Sequence, residues 1–124
     1  MNEVYLIGNL TKDVELRYTK TGKPVATYTV ACNERFKAAD GTEKEMTAFV
    51  NCVSWNLDAE KIAEGKKGNR VVVNGRLSTR SYEDANKVKK YVTEVITRNV
   101  AVDHYKANDG SSNFDSFGSA DVPF

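Results

Sequence analysis

Histidine occurs once in this chain, at His104, and cysteine twice, at Cys32 and Cys52, with no Cys-x-x-Cys pair. That set supplies too few ligands for a structural zinc site. It also leaves any Ser-His-Asp triad dependent on one imidazole near the end of the last predicted strand, with no evident partner. Carboxylates are plentiful, yet none forms a clustered divalent-metal motif. Gly65-Lys66-Lys67-Gly68 lacks the spacing of a phosphate loop ending in Gly-Lys-Ser/Thr. The residues therefore point away from an enzyme, and no cofactor or metal is expected. Long apolar runs are missing too, which excludes a membrane-spanning helix. No basic segment followed by an apolar stretch marks a signal peptide. The two thiols are expected to fill small core positions in a reducing compartment, which places the chain in the cytoplasm. A strong charge excess is likewise absent: 18 Lys+Arg against 17 Asp+Glu gives +1. Any site for a polyanion must then come from local clustering.

What is present divides the 124 residues into one domain, 1–106, and a tail, 107–124. The tail holds Asp109, Asp115 and Asp121 but no Lys or Arg, so the domain keeps 14 of the 17 acids and a net charge of +4. From Ala107 onward the only large apolar groups are Phe114, Phe117, Val122 and Phe124, too few to order the segment, which is expected to be disordered. Its end, Asp121-Val122-Pro123-Phe124, reads as an anionic aromatic hook suited to a shallow apolar pocket rimmed by Lys or Arg on another protein. Taken alone, an untethered terminus with a chance aromatic accounts for it equally well.

The domain reads as strands. Val4 to Gly8 suits a buried strand, Asn9 to Asp13 breaks it, and Val14 to Tyr18 alternates. Thr21-Gly22-Lys23-Pro24 marks a turn. In Val25 to Phe36, Ala26, Tyr28, Val30 and Cys32 share one face, and Thr27, Thr29 and Asn33 the other. Lys37 to Glu45 is polar and turns at Asp40-Gly41, predicting a long exposed hairpin loop. In Met46 to Trp55, Ala48, Val50 and Cys52 share one face; Phe49, Asn51, Val53 and Trp55 share the other. Asn56 to Lys67 is the one helix candidate, with Asn56 as cap and Leu57, Ile62 and Ala63 as a thin apolar stripe. Asn69 to Tyr82 turns Val71 and Val73 inward, with a bulge or bend expected at Gly75. A turn near Asp84 to Lys87 leads into Lys90 to Val102. The order implies an all-β, five-stranded Greek-key barrel of the oligonucleotide-binding type, with one short helix between strands 3 and 4. Such barrels carry many functions.

The informative side chains are Phe36, Phe49, Trp55 and Tyr82, set among polar neighbours and cations. Every base offers a π-face, so aromatics beside Lys and Arg grip an unpaired strand whatever its sequence. The competing account places these rings in the core or in a subunit interface, an even contest for Trp55. Most surface lysines serve solubility, and the loop clusters Lys66-Lys67 and Lys87 to Lys90 are the better candidates for phosphate contact.

With these residues in view, the chain resembles the bacterial single-stranded DNA-binding proteins, including phage and plasmid versions. The likeness is carried by Asn2-Glu3-Val4, Ile7 to Asp13, Leu16-Arg17-Tyr18, Gly22 to Ala26, Gly75 to Tyr82, Tyr91 to Val95 and the terminal Asp-Val-Pro-Phe. The resemblance implies a barrel that assembles as a homotetramer and wraps single-stranded DNA without sequence preference. It implies that Phe36, Phe49, Trp55 and Tyr82 stack on bases and that Arg17, Lys37, Lys44, Lys67 and Arg80 meet the DNA backbone. Asn51 and Ser78 stand where some members carry Arg. It also implies a nucleoid-associated protein whose tip, Asp121, Val122, Pro123 and Phe124, docks on replication, recombination and repair proteins. Two features depart from the family pattern. The linker 107–120 spans only on the order of 20 Å, and Asp121 alone precedes Val-Pro-Phe. Two other classes stay open: an interaction scaffold on the same barrel that binds nucleic acid weakly, and a metal-dependent nuclease.

Overall fold

A computed structural model describes residues 1–103. The expected tail and its tip, Asp121, Val122, Pro123 and Phe124, lie outside the described residues, as does His104. Six strands and a helix follow in order: β1 (Val4–Leu10), β2 (Glu15–Tyr18), β3 (Pro24–Lys37), β4 (Glu43–Trp55), α1 (Leu57–Ile62), β5 (Arg70–Glu83) and β6 (Lys89–Asp103). β1 and β2 both run antiparallel to β3, at Leu10↔Val30 and Leu16↔Ala26, so they are successive parts of one barrel strand interrupted at 11–14. Counted this way, the ring is β1/β2, β3, β4, β6 and β5, closed where β5 returns to β1. That is the predicted five-stranded barrel with its helix between the third and fourth strands. The one parallel pairing, Cys52↔Val95 and Val53↔Ile96, seals β4 to β6.

Period-2 alternation builds the core. Ala26, Tyr28 and Val30 from β3, Cys52 from β4, Val71 and Val73 from β5, and Val95 from β6 are all buried. Polar groups inside are satisfied in a chain. The Tyr28 hydroxyl lies 2.7 Å from Ser54 Oγ, which lies 2.8 Å from Thr97 Oγ1. Thr97 Oγ1 donates to Asp58 Oδ2 at 3.4 Å, reaching the helix. Among the described residues, no buried side-chain nitrogen or oxygen lacks a partner.

Three expectations are corrected. The helix spans Leu57–Ile62, not 56–67, and Asn56 does not cap it through its side chain. Asn56 has φ 55° and ψ −123°, outside the left-handed helical well, and only its carbonyl serves the helix, accepting from Glu60 N at 3.1 Å. The inward stripe is Ala59 and Ile62, while Leu57 faces solvent. The helix stops because Gly65 must pass against the split strand: a Cβ there would come within 2.7 Å of Leu10 Cδ1. Secondly, the predicted loop 37–45 is shorter than expected: Lys37 and Glu43 to Glu45 are strand, which leaves 38–42 as the turn. β3 runs through Lys37 and β4 starts at Glu43, because cross-strand pairs take over from burial: Thr47 Oγ1 donates to Asn33 Oδ1, and Arg35 pairs with Glu45 at 3.6 Å. Thirdly, Cys52 is buried as expected but Cys32 only half so; both are free thiols. The irregularity expected at Gly75 is present, but the extra residue is on β6: Asn74 faces Asn99 and Gly75 faces Thr97, leaving Arg98 between.

Burial gives the core an alkaline weakness. Desolvation pushes the Cys52 thiol from 9.0 up to about 12, and burial raises the Tyr28 phenol above its ordinary 10.0 despite the Ser54 hydrogen bond. Both acids stay neutral in the fold while the unfolded chain ionises. Stability is therefore fully present below pH 9 and falls as pH rises through the window up to about 12. The slope is about 1.4 kcal/mol per pH unit for each such group. Urea midpoints taken from pH 8 to 11 should decline, and Tyr28→Phe should make the decline shallower.

Candidate nucleic-acid interface

The register decides which predicted site residues share a surface, because paired Cα positions carry their side chains on the same side of a sheet. Starting from Trp55, Val25 is its partner on β3, and Arg17 on β2 is the partner of Val25. Phe49, Asn51 and Val53 lie on the same side of β4, and Lys37 shares it through the alternation of β3. Val53 pairs with Ile96, and Ile96 with Arg76. That carries the face across β6 to β5, where Ser78, Arg80 and Tyr82 continue it opposite Glu94, Val92 and Lys90. Phe49, Trp55, Tyr82, Arg17, Lys37 and Arg80 thus occupy one continuous sheet face, turned away from the barrel core.

The remaining three predicted positions fall elsewhere. Phe36 and Lys44 are partners of each other, on the side of the β3–β4 hairpin that continues the core face. Lys67 lies in the loop after α1, where its backbone N–H donates to Asp13 Oδ1 at 2.8 Å. The four rings are uncovered in the single chain: Phe49 is 68% exposed, Tyr82 44%, Phe36 43% and Trp55 42%. Phe36, Phe49 and Tyr82 sit on or at the root of two hairpin arms, 33–47 and 77–94, that outrun the barrel, and Trp55 stands on the barrel wall at the far end of β4, opposite Val25.

Several cations on this surface and in the loop after α1 are already engaged. Arg17 Nη2 reaches Glu15 at 3.0 Å, and that hydrogen bond, helped by Lys12 and by the charge of Arg17, lowers the Glu15 carboxyl below its usual range. Both partners are exposed, so the pair is weak and can yield to a phosphate. Lys66 Nζ lies 3.9 Å from Asp13, and Lys90 Nζ 3.6 Å from Asp84. Sequence reading missed the polar supports of the face. Thr29 donates to Asn51 Oδ1 at 2.9 Å, orienting the residue between Phe49 and Trp55's end of β4. Asn2 exchanges two hydrogen bonds with the Leu77 backbone, at 2.9 and 2.8 Å, and Arg98 pairs with Glu3, fixing the root of the β5–β6 arm. Glu94, buried in the middle of the face, was also missed; the lone acid in the alternating run Tyr91 to Val95 was its signal. A further exposed ring, Tyr91, lies on the reverse side with Lys89 Nζ 5.6 Å from its centre.

A small closed barrel with long arms, bearing open rings and cations on one sheet face, is the architecture of oligonucleotide-binding domains. The single-strand binding protein family matches residues 1–103, and the chain belongs to that family. It is 48% identical over 101 residues to single-stranded DNA-binding protein 2 of Listeria monocytogenes, covering 81% of this chain and 62% of that one. It is 47% identical over 100 residues to a single-stranded DNA-binding protein of Streptococcus pyogenes, covering 80% and 60%. The chain thus spans about three fifths of the length of these relatives. Among solved structures, the Plasmodium falciparum SSB in complex with ssDNA superposes with a TM-score of 0.76 at 27% identity, covering 82% of this chain and 94% of that one. A deletion mutant of the Thermus aquaticus single-stranded DNA binding protein gives 0.76 at 26%, covering 86% and 52%.

Proposed function

We propose that this chain binds single-stranded DNA without sequence preference and protects it during replication, recombination and repair. The observation that carries this reading is the single face on which Phe49, Trp55 and Tyr82 stand uncovered beside Arg17, Lys37 and Arg80. Rings stack on bases and cations meet phosphates, contacts that are open to any base sequence. Phe36, Lys44 and Lys67 extend the contact beyond that face. The relatives' names support the same ligand.

The chain works as a homotetramer in this reading. Tyr5 and Ile7 stand exposed on β1, beside a groove of about 550 Å³ lined by both of them and by Cys32 and Met46 from the β3–β4 arm. A second copy would cover that apolar surface. The tip Asp121-Val122-Pro123-Phe124 recruits partner proteins, and the protein resides in the cytoplasm with the nucleoid.

One experiment tests both parts. Full-length protein should shift an oligo-dT strand, with log affinity falling against log salt at about −0.7 per phosphate neutralised. Deleting 121–124 should leave that shift unchanged and abolish pull-down of replication and repair proteins. No shift at low salt would refute DNA binding and favour the scaffold reading. Strand cleavage on adding magnesium would favour a nuclease.

A further inference from the structure

Glu94 is an anomaly on the proposed DNA face. Its side chain is 8% exposed, and it is a carboxylate where a polyanion would lie. Burying a carboxylate is costly, and as a purely structural device an ion pair gains little over an apolar replacement. Its partner is Arg80, whose Nε donates to Glu94 Oε1 at 2.9 Å while the Arg80 side chain stays 59% exposed. No other partner engages Arg80 among the described residues. The guanidinium is a rigid planar fork. With its Nε edge tied to Glu94, the two Nη nitrogens remain as donors for a phosphate. Arg80 and Tyr82 are two apart on β5, so they share the face, and the phosphate so held would flank a base stacked on Tyr82.

We infer that Glu94 is a positioning residue for DNA binding: it holds the Arg80 guanidinium, by its Nε edge, in the orientation that grips the backbone beside Tyr82. This rests on the proposed binding of single-stranded DNA. It has a consequence that charge counting reverses. Removing a negative group from a DNA-binding face should tighten binding if Glu94 acts only through its charge, and should weaken binding if it acts through Arg80.

The test is fluorescence anisotropy of a labelled oligo-dT strand across a salt series, with full-length wild type, Glu94→Leu, Arg80→Lys, Arg80→Ala and the double variant Arg80→Ala/Glu94→Leu; leucine is close to glutamate in size and offers no acceptor to Arg80. Glu94→Leu should weaken binding roughly threefold to tenfold, within the range of losing one net hydrogen bond, and reduce the salt slope by up to about 0.7. Arg80→Lys, exposed and structurally mild, should lose a similar amount despite keeping its charge. In the Arg80→Ala background the Leu substitution should add no loss. Binding by Glu94→Leu that equals or exceeds wild type, a wild-type-like Arg80→Lys, or a loss that persists without Arg80 would each overturn the inference. Wild-type protein that fails to bind would overturn the binding reading itself, and the inference with it.

Discussion

Phe49→Ala and Trp55→Ala should each weaken binding of a long oligo-dT strand by about 1–3 kcal/mol, the range for losing one stacked base. Both rings lie on the same side of β4, with Tyr82 on the same face across β6 and β5. Phe36 should behave differently, because the unbroken β3–β4 register puts it on the reverse side of its arm with Lys44. A strand can touch Phe36 as well only by passing round the arm. Phe36→Ala should therefore weaken binding of long strands, yet leave binding of an oligonucleotide of about four to five nucleotides nearly unchanged. Phe49→Ala and Trp55→Ala should weaken both. Anisotropy titrations with a dT length series measure this. Equal losses for Phe36→Ala at every length would mean that all four rings serve one track.

The largest expected loss of stability is at Ile62. It is wholly buried, under the barrel, among residues from several elements. Ile62→Ala should destabilise the fold by about 2–5 kcal/mol, from the lost transfer energy and the cavity left behind. Leu57, five residues earlier on the same helix, is 65% exposed. Leu57→Ala should change stability by less than about 0.5 kcal/mol. Urea unfolding of the two variants gives the comparison directly. Similar losses for both would mean that α1 packs through the wider stripe suggested by its sequence.

The barrel was legible because its strands alternate over long stretches. Ala26, Tyr28, Val30 and Cys32 mark one face of β3 without ambiguity, and Val71 and Val73 do the same for β5. The arms were less legible. Between Asn33 and Phe49 neither face is buried, so alternation carries no signal and polar pairs such as Asn33 with Thr47 hold the strands instead. A polar run then reads as loop. The helix was overextended because Asn56 and the following lysines look like helix punctuation, whereas Gly65 ends the segment by packing against Leu10 and Val14. The four rings are exposed in the single chain, a question that the sequence left as an even contest for Trp55. That three of them share a face and Phe36 does not depends on tracing the register of β3 through β4, which is set by pairing between distant segments. Glu94 was missed for a related reason: its partner Arg80 lies fourteen residues away, across a hairpin.

The arms also have no hydrophobic interior of their own. From 33 to 49 every side chain is exposed apart from a partly covered Ala38. Amide hydrogens there need only local opening to exchange with solvent, at a free-energy cost well under that of unravelling the barrel. The molecule thus joins a well-packed hub to an arm, 33–49, that can yield locally, and that arm can follow an irregular polymer while the hub keeps its shape.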